Sequence, residues 1–589
     1  MTEDRQPERW DLFDLLPAPE TSEMDAYLGD VAARLDVFEQ RRDVLSDDIT
    51  TDAFRETLAL YERIYRDASA LSAYAYLWFS EDTGGQTRLA FRARMNQLVA
   101  DIENRTLFFT LWWRQLEDGV VDRLMPDAGD ATYFLHSLRL LKPYTLSEAE
   151  ERIINIKDVN GVSSLMTIYD MITTGLEFHL TVVGEDQVLT RGQLMSYVSD
   201  PDPEIRAAAY QELFRAYGGE TGVLSEIYAA RVRDWTEEQV KVRRFASPLS
   251  VRNVSNDLPD AVVETLLDVI RQNTAIFQRF FTFKARALGV ERLRRYDLYA
   301  PLSESEKAYT FDEAVRLVDE SYRAFSPTLA DQAMRVLEER HLDAQIRPRK
   351  MDGAYCYGVL PGVTPWVLTN YAGKVRDVST LAHELGHAVH AMMAADHSAL
   401  TFHSALPMAE TASVFGEMLL TDKLLAEEPD PGVRKTLLGT LLDDAYATIM
   451  RQGYFVLFER TAHRMILEGA TADELQAAYL DNLREQFGES MALSDDFAVE
   501  WTAIPHVYHT PFYCYAYAFG NLLVLALYRK YKELGRDFES DYLRILAYGG
   551  SAGPDHIIRE AGFDMASADF WQSGFDLLSE MLRELEGLS

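Results

Sequence analysis

Long stretches of this chain carry apolar residues at helical rather than strand spacing, and that periodicity limits the fold more than any other feature. Val263, Leu266, Ile270, Phe277 and Phe281 fall three, four and seven residues apart, with Pro259 near the start of the run and Gly289 just past its end. Similar amphipathic runs fill 24–116, 204–243, 311–340, 434–487 and 557–587. No unit of 20–50 residues recurs, so a helical solenoid is not expected. The fold class that follows is mainly α. Two segments break the pattern. Phe178 to Thr190 reads as a hairpin turning at Gly184-Glu-Asp, and Tyr355 to Tyr371 reads as extended strand and loop between glycines and prolines. The Pro–Asp cluster at 199–204 interrupts one helix and can cap the next. A chain of 589 residues exceeds a single domain. Two lobes are therefore expected, 1–195 and 196–589, with a junction near 190–203.

Charge excludes two classes of partner. Lys and Arg number 58 against 94 Asp and Glu, a net charge of −36 with no basic block. Nucleic-acid backbones and anionic lipid both require clustered positive charge. Neither partner is expected. Two cysteines, Cys356 and Cys514, cannot build a disulfide framework. The N-terminus shows no basic region followed by an apolar core, and the apolar stretch near Phe519 to Tyr528 is too short to span a bilayer. A cytoplasmic protein is expected.

The chemistry concentrates at His383-Glu384-Leu385-Gly386-His387. On a helix, positions i and i+4 share a face, so both imidazoles can reach one metal with Glu384 beside it. Zinc suits such nitrogen and oxygen donors and leaves a position for water. At the chain's own residue frequencies the pattern would arise by chance roughly 0.04 times, so coincidence is a poor account. A third ligand is needed. His390, at i+7 from His383, is sterically awkward, whereas Glu410 on a second helix can pack in from the side. Glu417, two turns on, can orient a metal-bound imidazole. Taken alone, either glutamate would be read as surface charge about as readily. A third element, His506 to Tyr517, holds four tyrosines and two histidines. Such donors can stabilise the oxyanion of peptide hydrolysis. The competing reading is an aromatic stripe in the core, which Tyr513 and Tyr517 taken singly favour.

These residues carry a resemblance. From Trp10-Asp-Leu-Phe, through 294–301, 353–358 and 370–387, to Glu410…Glu417 and 505–517, the chain resembles the oligoendopeptidase F branch of the M3 family of zinc metallopeptidases, related to thimet oligopeptidase. The ordered set is far more specific than the five-residue motif, which many peptidase families share. The resemblance implies one Zn2+ held by His383, His387 and Glu410, with Glu384 as general base. It places His506 and tyrosines of 508–517 on the substrate side, Tyr508 and Tyr515 being the assigned donors. It further implies two helical lobes around a deep channel, a small β element beside the zinc, and short peptides cut at internal bonds. A helical zinc carboxypeptidase is the alternative enzyme, but no cationic pocket for a substrate carboxylate is evident. A peptide-binding protein without catalysis would be expected to lack Glu384.

Overall fold

The computed structural model describes residues 5–182, 184–302 and 307–588. Helices hold 72% of the chain and strands only pieces of two to five residues, so the fold is mainly α. Among the described residues no helix is long and apolar enough to cross a membrane.

Two compact units are each assembled from discontinuous segments. The first comprises Met1–Lys142, Glu306–Glu427 and Leu527–Asp564, the second Pro143–Ser305, Glu428–Ala526 and Met565–Ser589. Compactness thus divides the chain along lines other than 1–195 and 196–589, and the 190–203 segment lies inside the second unit. There Asp202 caps the long helix Pro203–Trp235 by accepting the Glu204 N–H, with Pro203 at the first helical position.

The first unit begins with the long helices Ser22–Gln40, Thr51–Glu81 and Gln86–Gln115, packed on Phe38, Phe54, Phe109 and Trp113. Its 306–427 segment builds a three-stranded sheet in which Trp366–Leu368 is central, parallel to Leu342–Asp343 and antiparallel to Tyr355–Tyr357. Tyr355–Tyr357 is therefore an edge strand. The helix Val375–Met393 lies against this sheet and against Thr411–Glu427. Gly386 makes that helix crossing close. A Cβ there would stand 2.5 Å from the Ala412 carbonyl oxygen and 2.6 Å from the Ser413 Cα, both backbone atoms that cannot rotate aside.

In the second unit the run from Val263 to Phe281 is two helices, Asp260–Gln272 and Thr274–Ala287. The break falls at Asn273, whose side-chain amide donates to the Val269 carbonyl at 2.8 Å and so competes with helix continuation. The expected hairpin forms, with Phe178 opposite Leu189 and Val182 opposite Glu185. Its strands close more tightly than a Gly184-Glu-Asp turn would allow, because Glu185 and Asp186 are already paired; position 183 lies outside the described residues.

Candidate metal centre

The helix Val375–Met393 presents His383 and His387 on one face, as i, i+4 spacing requires. Their Nε2 atoms lie 3.1 Å apart. Glu410 immediately precedes the helix Thr411–Glu427 rather than lying within it, and its carbonyl accepts the Val414 N–H. Its Oε2 stands 3.4 Å from the Nε2 of each histidine. The three ligand atoms fall within 4.8 Å of one another, the spacing of donors around a single ion.

Surrounding groups fix each donor. His383 Nδ1 meets Glu417 Oε1 at 2.5 Å, which holds the proton on Nδ1 and turns the Nε2 lone pair inward. The Ala409 backbone faces the His387 ring and favours its protonated form. Ser413 donates its hydroxyl to Glu410 Oε2 at 2.6 Å. Burial opposes charge on both imidazoles. At His383 the Glu417 hydrogen bond and the nearby carboxylates override it and push the pKa up to about 9; at His387 burial prevails and brings it down to about 4. Three carboxylates, Glu384, Glu410 and Glu417, therefore draw one positive charge to the centre of the pair, and a dication answers the same demand. The donor set, its tautomers and its charge fit zinc.

Glu384 is 6% exposed, and burial pushes its carboxyl up to about 7 against the lowering influence of His383. The backbone N–H of Cys356, on the edge strand, faces it and favours its charged form. A cavity of about 400 Å³ opens beside it, lined by Tyr355, Cys356, His390, Phe402 and His403 as well as the motif residues. His390 lines this space without joining the ligand group. Burial raises both thiols above their usual range, so neither Cys356 nor Cys514 is a ready thiolate.

The 506–517 segment belongs to the second unit. His506 Nε2 lies 3.2 Å from the Tyr517 hydroxyl, and the rings of His506 and Tyr513 are parallel with centroids 5.8 Å apart. These three side chains keep part of their surface accessible, whereas Tyr508 and Tyr515 are fully buried. Tyr508 stacks on Tyr169 at 4.0 Å, and its hydroxyl has no partner among the described residues. The Tyr515 hydroxyl accepts from Asn256 Nδ2 at 2.7 Å. Sequence reasoning did not reach Ser413, Asn256, the Ala409 carbonyl or the Cys356 N–H. Backbone groups leave no residue-type signal, and Ser413 could have been suspected only from its i+3 spacing to Glu410.

The model of peptidase family M3 matches residues 196–577. The chain belongs to peptidase family M3. This M3 peptidase is 28% identical over 535 residues to the group B oligopeptidase PepB of Streptococcus agalactiae, covering 87% of this chain and 86% of the relative. It is 24% identical over 548 residues to the oligopeptidase PepF of Bacillus subtilis, covering 92% and 81%. A crystal structure of a putative peptidase from Chlamydophila abortus superposes with a TM-score of 0.88 at 25% identity, over 99% of this chain and 98% of the other. Oligoendopeptidase-F from Enterococcus faecium shares the fold, with a TM-score of 0.72 at 23% identity over 96% and 98%. The M3 peptidase is accordingly a metallopeptidase, a hydrolase of peptide bonds, and the His383, His387 and Glu410 group that could hold a metal lies within the matched segment.

Proposed function

We propose that this M3 peptidase is a zinc endopeptidase that hydrolyses internal bonds of short, unstructured peptides. The observation that carries the reading is the convergence of His383, His387 and Glu410 on one point beside the buried Glu384. Zinc held by those three residues would supply a Lewis acid that polarises the scissile carbonyl and renders water acidic enough to attack near neutral pH.

The remaining steps fall to the chain's own groups. Glu384 accepts the proton of the attacking water and returns it to the leaving amine, a task suited to a carboxyl whose affinity for protons is raised by burial. The Cys356 N–H faces the base from the edge strand. An extended peptide adding to that edge by main-chain hydrogen bonds would lie alongside the base, with affinity but little demand on sequence. Glu417, through His383, and Ser413, through Glu410, keep the ligand atoms in place. His506, Tyr508 and Tyr515 are proposed as donors that strengthen their hold as the carbonyl oxygen gains charge, and for the enclosed Tyr508 and Tyr515 the Phe variants decide between this role and packing. That assignment rests on the family resemblance. The relatives named oligopeptidase and oligoendopeptidase support short peptides as substrates. The two unpaired thiols suit a cytoplasmic location.

Metal analysis paired with Glu384→Gln tests the reading. The wild-type and variant chains should each hold one zinc, with turnover lost only in the variant. A wild-type chain that binds no zinc, or a variant that turns over normally, would overturn it.

A further inference from the structure

Among the described residues of the second unit, a buried positive charge is left unbalanced. Arg295, in the turn Arg295–Asp297, has a side chain 1% exposed, and its Nη2 donates to Glu500 Oε1 at 3.1 Å. Arg451, which begins the helix Arg451–Leu467, sends its Nη2 to the same oxygen at 3.0 Å. The Tyr479 hydroxyl donates to the other oxygen at 3.0 Å, so both oxygens of Glu500 are engaged. Among the described residues Glu500 is the one carboxylate that ion-pairs with either arginine. Two guanidinium charges thus face a single carboxylate.

Hydrogen bonding leaves the same deficit. Nε and Nη1 of Arg295 and Nε of Arg451 are buried with no partner among the described residues. The Arg295 guanidinium carbon lies 4.8 Å from the Phe497 ring centroid, 5.5 Å from that of Phe487 and 5.8 Å from that of Tyr210. Ring faces attract a cation but accept N–H bonds only weakly. Buried guanidinium N–H groups ordinarily find acceptors, and a buried charge ordinarily finds its opposite. The chain's net charge of −36 does not substitute, because solvated surface charge is screened within about 8 Å at physiological ionic strength.

We propose that a monovalent halide, chloride in the cell, binds between the guanidinium groups of Arg295 and Arg451. The excess is one charge, so one monovalent anion balances it. The two groups meet at a single oxygen, which brings their Nη2 atoms within about 6 Å of each other, so their remaining N–H groups share one neighbourhood. Water could satisfy the N–H groups but not the charge. Arg451 keeps 27% of its side-chain surface, which provides the ion with a way in. A bound halide would tie the start of the helix Arg451–Leu467 to the turn at Arg295. That helix also carries the buried Glu459, which accepts the Phe512 N–H at 2.9 Å and so anchors the 506–517 segment.

The test uses the full-length protein with chloride as the probe and gluconate as the control anion at matched ionic strength. The melting temperature should rise saturably with chloride, by roughly 2–4 °C at a hundred times the dissociation constant. Arg451→Gln removes the excess charge. Its melting temperature in gluconate should equal or exceed that of the wild type, and chloride should add nothing. A purely structural arginine would instead lower stability equally in both salts. Bromide-soaked wild-type crystals should show an anomalous peak between the two guanidinium groups, a result that does not depend on the variant folding. Identical melting in chloride and gluconate, a wild-type chloride response in Arg451→Gln, or no bromide at this position would each overturn the proposal.

Discussion

Gly386 lies inside the HExxH motif and has no side chain to reach a metal, and replacing it with alanine tests whether the helix crossing sets the metal geometry. The added Cβ would meet the Ala412 carbonyl oxygen at 2.5 Å and the Ser413 Cα at 2.6 Å. Comfortable non-bonded contact begins near 3.5 Å, so the helices Val375–Met393 and Thr411–Glu427 must part by roughly 1 Å. Overpacking of this kind costs about 1–3 kcal/mol. Glu410 stands two residues before Ala412 and moves with it, while His383 and His387 stay with the first helix. Metal–ligand distances tolerate only about 0.2 Å, so the shift falls largely on zinc affinity. An increase of about 10–100-fold in the zinc dissociation constant corresponds to that cost, at about 1.4 kcal/mol for each factor of ten. Chelator competition measures the constant, and thermal melting of the metal-free form measures the packing strain separately. Wild-type zinc affinity together with wild-type melting in Gly386→Ala would refute the view that this crossing positions Glu410.

Other expectations follow from the same geometry. Glu384→Gln should keep its zinc while kcat falls by roughly 10²–10⁴-fold, read by metal analysis beside steady-state kinetics. Glu417→Gln keeps an acceptor for His383 Nδ1 but loses the charge, so zinc should bind about 10–100-fold more weakly by chelator competition. In the metal-free site His383 holds a proton up to about pH 9, which zinc must displace. Apparent affinity should therefore rise about tenfold per pH unit towards pH 9 and level off above it, as competition titrations across pH 6–10 would show. Tyr→Phe changes at 508, 513, 515 and 517 separate an oxyanion donor, which should lose about 10²-fold in kcat with KM little changed, from packing residues. Tyr515→Phe should also lower the melting temperature, because it strands the buried Asn256 amide.

The parts of this molecule that were legible in the sequence depend on local periodicity. Helix positions show in the 3.6-residue pattern, and the ligand pair shows because i, i+4 histidines on a helix have a fixed geometry. Glu410 could be singled out because only a second element can reach the pair from the side. Other features depend on contacts distant in sequence. The two compact units are stitched from three segments each, and no local composition marks where the chain returns. Asn273 breaks a run whose apolar spacing continues across it, since one amide captures the Val269 carbonyl. The Ala409 carbonyl and the Cys356 N–H act through backbone atoms that any residue would supply. Aromatic density drew attention to 506–517, but composition cannot separate the enclosed Tyr508 and Tyr515 from the accessible His506, Tyr513 and Tyr517.

The most direct test of a zinc endopeptidase is product analysis on an internally quenched peptide blocked at both termini. Chain stripped by chelator should leave the peptide intact, and one equivalent of zinc should restore cleavage at an internal bond, with two fragments identified by mass. Cleavage that persists in excess chelator, or a zinc-loaded chain that removes residues only from the free ends of unblocked peptides, would contradict the account.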